Sequence, residues 1–139
     1  MKYLWAYSIP VVGILGIYFG GFWSFSAIIF VFVLIPLLEL FLPIDERNYD
    51  QENIAKRLNN KFFDILLYLN VPIVYGALFF CLYKITQTEV SNTEIIGMTL
   101  SLGIILGANG INVAHELGHR TNLFEKILGK FLLIPSHYT

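Results

Sequence analysis

Ile95-Ile96-Gly97-Met98-Thr99-Leu100-Ser101-Leu102-Gly103-Ile104-Ile105-Leu106-Gly107-Ala108-Asn109-Gly110-Ile111-Asn112-Val113-Ala114 carries no charged side chain, and it leads directly into His115-Glu116-Leu117-Gly118-His119. About 20 residues at a helical rise of 1.5 Å cross the roughly 30 Å hydrocarbon core of a bilayer. The run is therefore read as a membrane helix that brings His115 to the boundary and His119 one turn beyond it. Residues four apart share a helix face, so the two imidazoles are placed to grip one transition-metal ion. Glu116 between them can act on metal-bound water or brace a ligand.

The rest of the chain supports a membrane reading. Its 139 residues are 56% hydrophobic and only 14% charged, against about 25% charged in soluble domains, and the mean hydropathy is +0.66. A net charge of -1 provides no basic field for nucleic acid, so no nucleic-acid partner is expected. The single cysteine, Cys81, excludes both an internal disulfide and a thiolate metal site. The predicted class is all-α, a multi-pass membrane helical bundle forming one membrane domain over residues 1–139.

Four spans are predicted, over about 3–19, 22–42, 62–83 and 95–119, with Gly20-Gly21 as the turn between the first two. Pro10, Pro36 and Pro72 lie inside these runs, where membrane helices tolerate them as kinks. Lys2 before an apolar stretch resembles a signal peptide. The length of that stretch, its aromatics and the span that follows at once favour an anchor helix. With four spans, Lys2, Arg47, Lys56, Arg57, Lys61, Arg120, Lys126 and Lys130 fall on one side and Lys84 alone on the other. By the positive-inside rule the N-terminus and the histidine motif face the cytoplasm. The polar stretch 43–61 reads as a solvated loop with a short interfacial helix. Glu39, near the end of the second span, reads either as a solvated helix-terminal carboxylate or as a partner of the metal ligands.

At 100° per residue, Asn109, Asn112, His115, Glu116 and His119 share one sector of the fourth helix, about 120° wide, with Ser101 and Ala108. Asn109 and Asn112 are therefore candidates to support the histidines. Gly103, Gly107, Gly110, Ala114 and Gly118 form a small-residue ridge across the helix, of the kind that lets membrane helices approach closely. Beyond the motif, Asn122 with Glu125 resembles a capping box. It opens an amphipathic helix, with Leu123, Phe124, Ile127, Leu128 and Phe131 opposite Lys126 and Lys130, expected to lie on the cytoplasmic surface. The sequence stops after a further apolar stretch, so it is expected to be the N-terminal part of a longer protein.

Two histidines complete no catalytic metal site. By itself the chain is expected to hold metal weakly or not at all, and to be inactive. A helix-end histidine pair can also serve simply as interfacial polar residues facing the helix dipole. The repeated spacing beside asparagines favours metal. His137, with no partner at ligand spacing, reads as an interfacial or loop histidine.

Asn112-Val113-Ala114-His115-Glu116-Leu117-Gly118-His119-Arg120, followed by Phe124-Glu125-Lys126-Ile127-Leu128-Gly129-Lys130, resembles the first histidine box of membrane alkane 1-monooxygenases. Pro36-Leu37-Leu38-Glu39-Leu40-Phe41-Leu42-Pro43 and Leu67-Tyr68-Leu69-Asn70-Val71-Pro72 resemble the family's early helices. The chain looks like about the first third of such an enzyme. The resemblance implies a bundle of about six membrane helices in the bacterial inner membrane, with a histidine-ligated non-haem di-iron centre on the cytoplasmic side. That centre would hydroxylate the terminal carbon of an alkane with O2 and electrons from rubredoxin. His115 and His119 match two iron ligands of this box, and Glu116 would brace the site.

Three rival readings remain at this level. An intramembrane zinc metalloprotease would use Glu116 on zinc-bound water. A membrane fatty-acyl desaturase or hydroxylase shares di-iron histidine boxes but usually spaces its first box differently. A membrane module without activity would carry the motif by accident. Trp23, Phe25 and Phe30 are candidates for a substrate cavity by size alone.

Overall fold

The computed structural model describes residues 7–41 and 61–136. The expectations for loop 43–61, for the outer ends of the first two spans and for His137 fall outside the described residues.

Helix α1 (Ser8–Phe19) leads through Gly20 and Gly21 into α2 (Gly21–Phe41). Both glycines have positive φ, 67° and 55°, a region that costs other residues a Cβ clash. The predicted turn is thus present. Within α2 a 3-10 turn, Gly21–Phe25, and a π turn, Phe30–Leu34, interrupt the α geometry. The π turn lies directly before Pro36, whose ring and missing N–H need a widened ladder. Helix α3 (Lys61–Gln87) returns in the opposite sense, with Pro72 near its middle. Helix α4 (Asn92–Gly118) combines α segments Asn92–Ile105 and Asn112–Gly118 with a π turn, Leu106–Ile111. Helix α5 (Leu123–Leu133) ends in a 3-10 turn, Ile134–Ser136.

The result is an all-α, multi-pass bundle, in which the expected four spans are met in part. Among the described residues three helices are long and apolar enough to cross a membrane: Gly21–Phe41, Asp64–Gln87 and Asn92–Gly118. Helix α1 is apolar but has 12 residues, about 18 Å of helix. That is short of a crossing, so its described part does not establish the fourth span.

Helix α4 begins earlier than its apolar run suggested, because Ser91 and Glu94 form a full capping box. The Glu94 carboxylate also accepts the Gly21 N–H at 2.5 Å, tying the α1–α2 turn to the start of α4. At this turn end, Ser101 Oγ donates to the Ser24 carbonyl at 2.6 Å and Ser26 Oγ to the Val12 carbonyl at 2.9 Å. Ile17, Cys81 and Met98 fill the space below. Gly97 is where α4 meets α2: a Cβ there would lie 2.9 Å from both Phe25 Cε2 and Ser24 Cβ. Gly97→Leu is therefore expected to destabilise the bundle by about 1–3 kcal/mol. Gly76→Leu, at an exposed site with open space around its Cβ position, should not. Thermal unfolding of the two variants side by side checks this; equal midpoints would show that the close approach carries no weight.

The predicted ridge is overturned in part, and the π turn is the reason. Among its members Gly110 and Ala114 are buried, with Gly110 facing the Leu132 carbonyl, while Gly103, Gly107 and Gly118 have open space where a Cβ would be. A π turn advances fewer degrees per residue than an α turn. It therefore rotates the residues above it out of register with those below. The buried row runs through Gly97, Met98, Ser101 and Ile105 above the turn, and through Gly110, Ala114 and Leu117 below it.

Helix α5 is amphipathic, as expected. It packs against α3 and α4 through one side, while Leu123, Phe124, Ile127 and Phe131 of its predicted apolar face stay exposed. Leu132 joins Val74, Ala114 and Leu117 in a buried cluster. Tyr75 Oη donates to the Phe131 carbonyl at 2.8 Å, and Tyr68 stacks edge-on against Phe124 at 6.1 Å. A Cβ at Gly129 would sit 3.0 Å from the Ala114 carbonyl, so glycine lets the two backbones close. The expected capping box is only half formed. Asn122 Oδ1 accepts the Phe124 N–H at 3.0 Å, while Glu125 is buried and turned towards Tyr68 and Arg120.

Candidate metal centre

The lower segment of α4, Asn112–Gly118, is held from behind by Ala114 and Leu117, which are buried against Val74 and Leu132. With that face fixed, a helical advance of about 100° per residue turns His115, Glu116 and His119 away from α3 and α5. All three are exposed, and Asn112 is exposed beside them. The last turn is intact: the His119 N–H donates to the His115 carbonyl at 3.2 Å and the Arg120 N–H to the Leu117 carbonyl at 3.3 Å. His119 is thus the residue at which the helix stops.

Asn109 leaves this exposed sector, because the π turn rotates it towards α3. It is 1% exposed and its amide donates to Asn70 Oδ1 at 2.8 Å. Asn70 in turn donates to the Leu66 carbonyl at 3.0 Å and to the Tyr7 hydroxyl at 3.2 Å. This places a polar junction of α1, α3 and α4 inside an otherwise apolar bundle.

Arg120 is the charged hub of the motif end. Its guanidinium lies 3.0 Å from Asp64 on α3, 3.7 Å from Glu116 one turn back, and 3.9 Å from Glu125 on α5. Tyr68 Oη donates to the same Glu125 oxygen at 2.9 Å. Sequence reasoning did not single out Asp64, Tyr68, Asn70 or this role of Arg120. Two signals were available: a lone amide within the apolar run at Asn70, and Asp64 and Tyr68 at the helical spacing of four.

The donor set suits two positions of a metal's ligand shell: two imidazoles one turn apart, on one exposed face of a helix fixed from behind. It suits no more than two, since among the described residues no group of three or more His, Cys, Asp or Glu is arranged to hold an ion. Glu39 is exposed near the end of α2. Trp23 is 62% exposed in the 3-10 turn that follows Gly20, and Phe25 lies against Gly97. Gly97 is 18 residues before His115 along α4, about 27 Å, so both aromatics belong to the end remote from the histidines.

Fold and motif together define a multi-pass helical membrane protein that presents a paired-histidine helix end. No protein-family model matches the chain. Individual relatives do. Alkane 1-monooxygenase 1 of Alcanivorax borkumensis is 30% identical over 144 residues, covering 99% of this chain and 35% of the relative. Alkane 1-monooxygenase of Pseudomonas putida is 30% identical over 144 residues, covering 99% and 36%. Alkane 1-monooxygenase 1 of Pseudomonas aeruginosa is 36% identical over 120 residues, covering 85% and 31%. The chain belongs to the alkane 1-monooxygenase family. It spans about a third of the length of these curated relatives.

Proposed function

We propose that this chain supplies the first histidine box of a membrane oxygenase that hydroxylates the terminal carbon of alkanes. The observation that carries the reading is the exposed pair His115 and His119 at the end of a membrane-length helix, in a chain whose relatives are alkane 1-monooxygenases. In the whole protein these two imidazoles would hold iron as part of a histidine-rich di-iron centre, completed by residues beyond those described. Iron so held would supply O2 activation and redox change, which zinc does not offer. Electrons would come from rubredoxin.

The chain's own part is to bind and orient. His115 and His119 present their nitrogens from a backbone fixed by Ala114 and Leu117. Asn112 lies on the same exposed face, within reach of a hydrogen-bonding role beside the ligands. Glu116, paired with Arg120, braces the turn without ligating. The site would stand at the cytoplasmic boundary of an inner-membrane bundle with a further crossing contributed by α1. There an alkane, which has no polar handle, reaches it from the lipid. The small charge content of the helices keeps that approach apolar.

The test is a product assay on membranes containing the whole protein, supplied with rubredoxin, reductant and n-alkanes of graded length under isotopically labelled dioxygen. The expected product is the 1-alkanol carrying one labelled oxygen atom. Peptide cleavage without oxygen uptake would contradict the reading and favour a zinc hydrolase.

A further inference from the structure

We infer that Arg120 is a positioning residue, which pins the helix end bearing His119 so that the two imidazoles keep a common direction. This rests on the reading of His115 and His119 as metal ligands.

His119 sits where α4 stops. The final residue of a helix has lost the hydrogen bonds that continue the ladder and frays most easily. Beyond the His119 to His115 bond at 3.2 Å, only the Arg120 N–H to Leu117 bond at 3.3 Å closes the chain before it turns. Left to itself, this turn would open and swing His119 away from His115. The Arg120 side chain instead reaches two neighbouring helices. It meets Asp64 at 3.0 Å on α3 and Glu125 at 3.9 Å on α5, while Glu116 at 3.7 Å ties it to its own helix. The guanidinium is half-buried and Glu125 is buried, so these contacts are screened less than surface pairs. Tyr68 holds Glu125 in place from behind.

One cation thus stands among three carboxylates contributed by three helical segments. Its removal leaves Asp64, Glu116 and Glu125 to repel one another and strands the buried Glu125. A planar guanidinium can serve several acceptors at once, whereas a lysine ammonium is a single point charge. Groups that orient metal ligands from outside the coordination shell typically change metal affinity by about 10–100-fold when removed.

The experiment uses the whole protein that carries this chain, stripped of metal and titrated with cobalt(II), whose ligand-field bands report ligand number and geometry. Arg120→Gln is expected to weaken cobalt binding by about tenfold or more and to change the band pattern. Asp64→Asn should shift affinity in the same direction by less, and the double variant should be no worse than Arg120→Gln alone. Arg120→Lys should fail to restore the wild-type spectrum. Should Arg120→Gln not fold, Asp64→Asn decides, because it keeps the Arg120 charge beside Glu125. His115→Ala is the control. Binding lost in that control but unchanged, in affinity and spectrum, in Arg120→Gln or in a deciding Asp64→Asn overturns the pinning role alone. Binding unchanged in the control overturns the metal reading and the pinning role with it.

Discussion

His115→Ala in the whole protein is expected to reduce alkane hydroxylation below detection and to lower the bound metal, while the bundle still folds. The side chain is exposed and faces away from the Ala114, Leu117 and Leu132 cluster. Its loss therefore removes a nitrogen donor without opening a cavity. His119→Ala should behave alike. Glu116→Gln should not: its carboxylate is largely solvent-facing and paired to Arg120 at 3.7 Å, so activity should fall by no more than about tenfold, within the range for a group that only orients a ligand. In a zinc hydrolase of the HExxH type the same carboxylate is the general base, and Glu116→Gln would be as damaging as losing a histidine. Assaying the three variants together separates the two chemistries. Full hydroxylation by His115→Ala would remove it from the ligand set.

Asn70→Leu is expected to destabilise the junction of α1, α3 and α4 in the described bundle. Asn70 is 4% exposed, accepts from Asn109 at 2.8 Å and donates to Leu66 at 3.0 Å and Tyr7 at 3.2 Å. Leucine in its place strips the Asn109 amide of this acceptor in an apolar interior. Stranding a buried polar group costs about 1–3 kcal/mol. Hydrogen bonds between membrane helices average only about 0.6 kcal/mol by double-mutant cycles, so the lower part of that range is expected. The double variant Asn70→Leu with Asn109→Leu should lose less than the two single losses added. Unfolding in detergent with increasing denaturant measures this, and additive losses would show that the two amides do not depend on each other.

Much of this architecture was legible in the sequence because apolar length and charge placement act over tens of residues. The spans of α2, α3 and α4, the Gly20-Gly21 turn and the histidine pair all follow from such patterns. What escaped depends on register. The π turn at Leu106–Ile111 leaves no clear mark in composition, yet it rotates Asn109 inward and breaks the glycine ridge that a constant 100° advance had drawn. The packing of α5 is a related case. Its predicted apolar face stays exposed at Leu123, Phe124, Ile127 and Phe131, while Leu132 and Gly129, which that stripe does not include, make the contact with Val74, Ala114 and Leu117. Arg120 was passed over because its significance lies in Asp64, 56 positions earlier in the chain, which no local spacing reveals. The expected site is likewise only partly in view, since a metal needs ligands that two histidines on one turn do not provide.

The central claim is that His115 and His119 help to hold the iron of an oxygenase. Metal analysis of the purified whole protein, alongside His115→Ala and His119→Ala, tests it most directly. The account predicts iron bound as a pair of ions per chain in the wild type, and its loss in both variants. Zinc in place of iron, or iron retained in full by both variants, would contradict it.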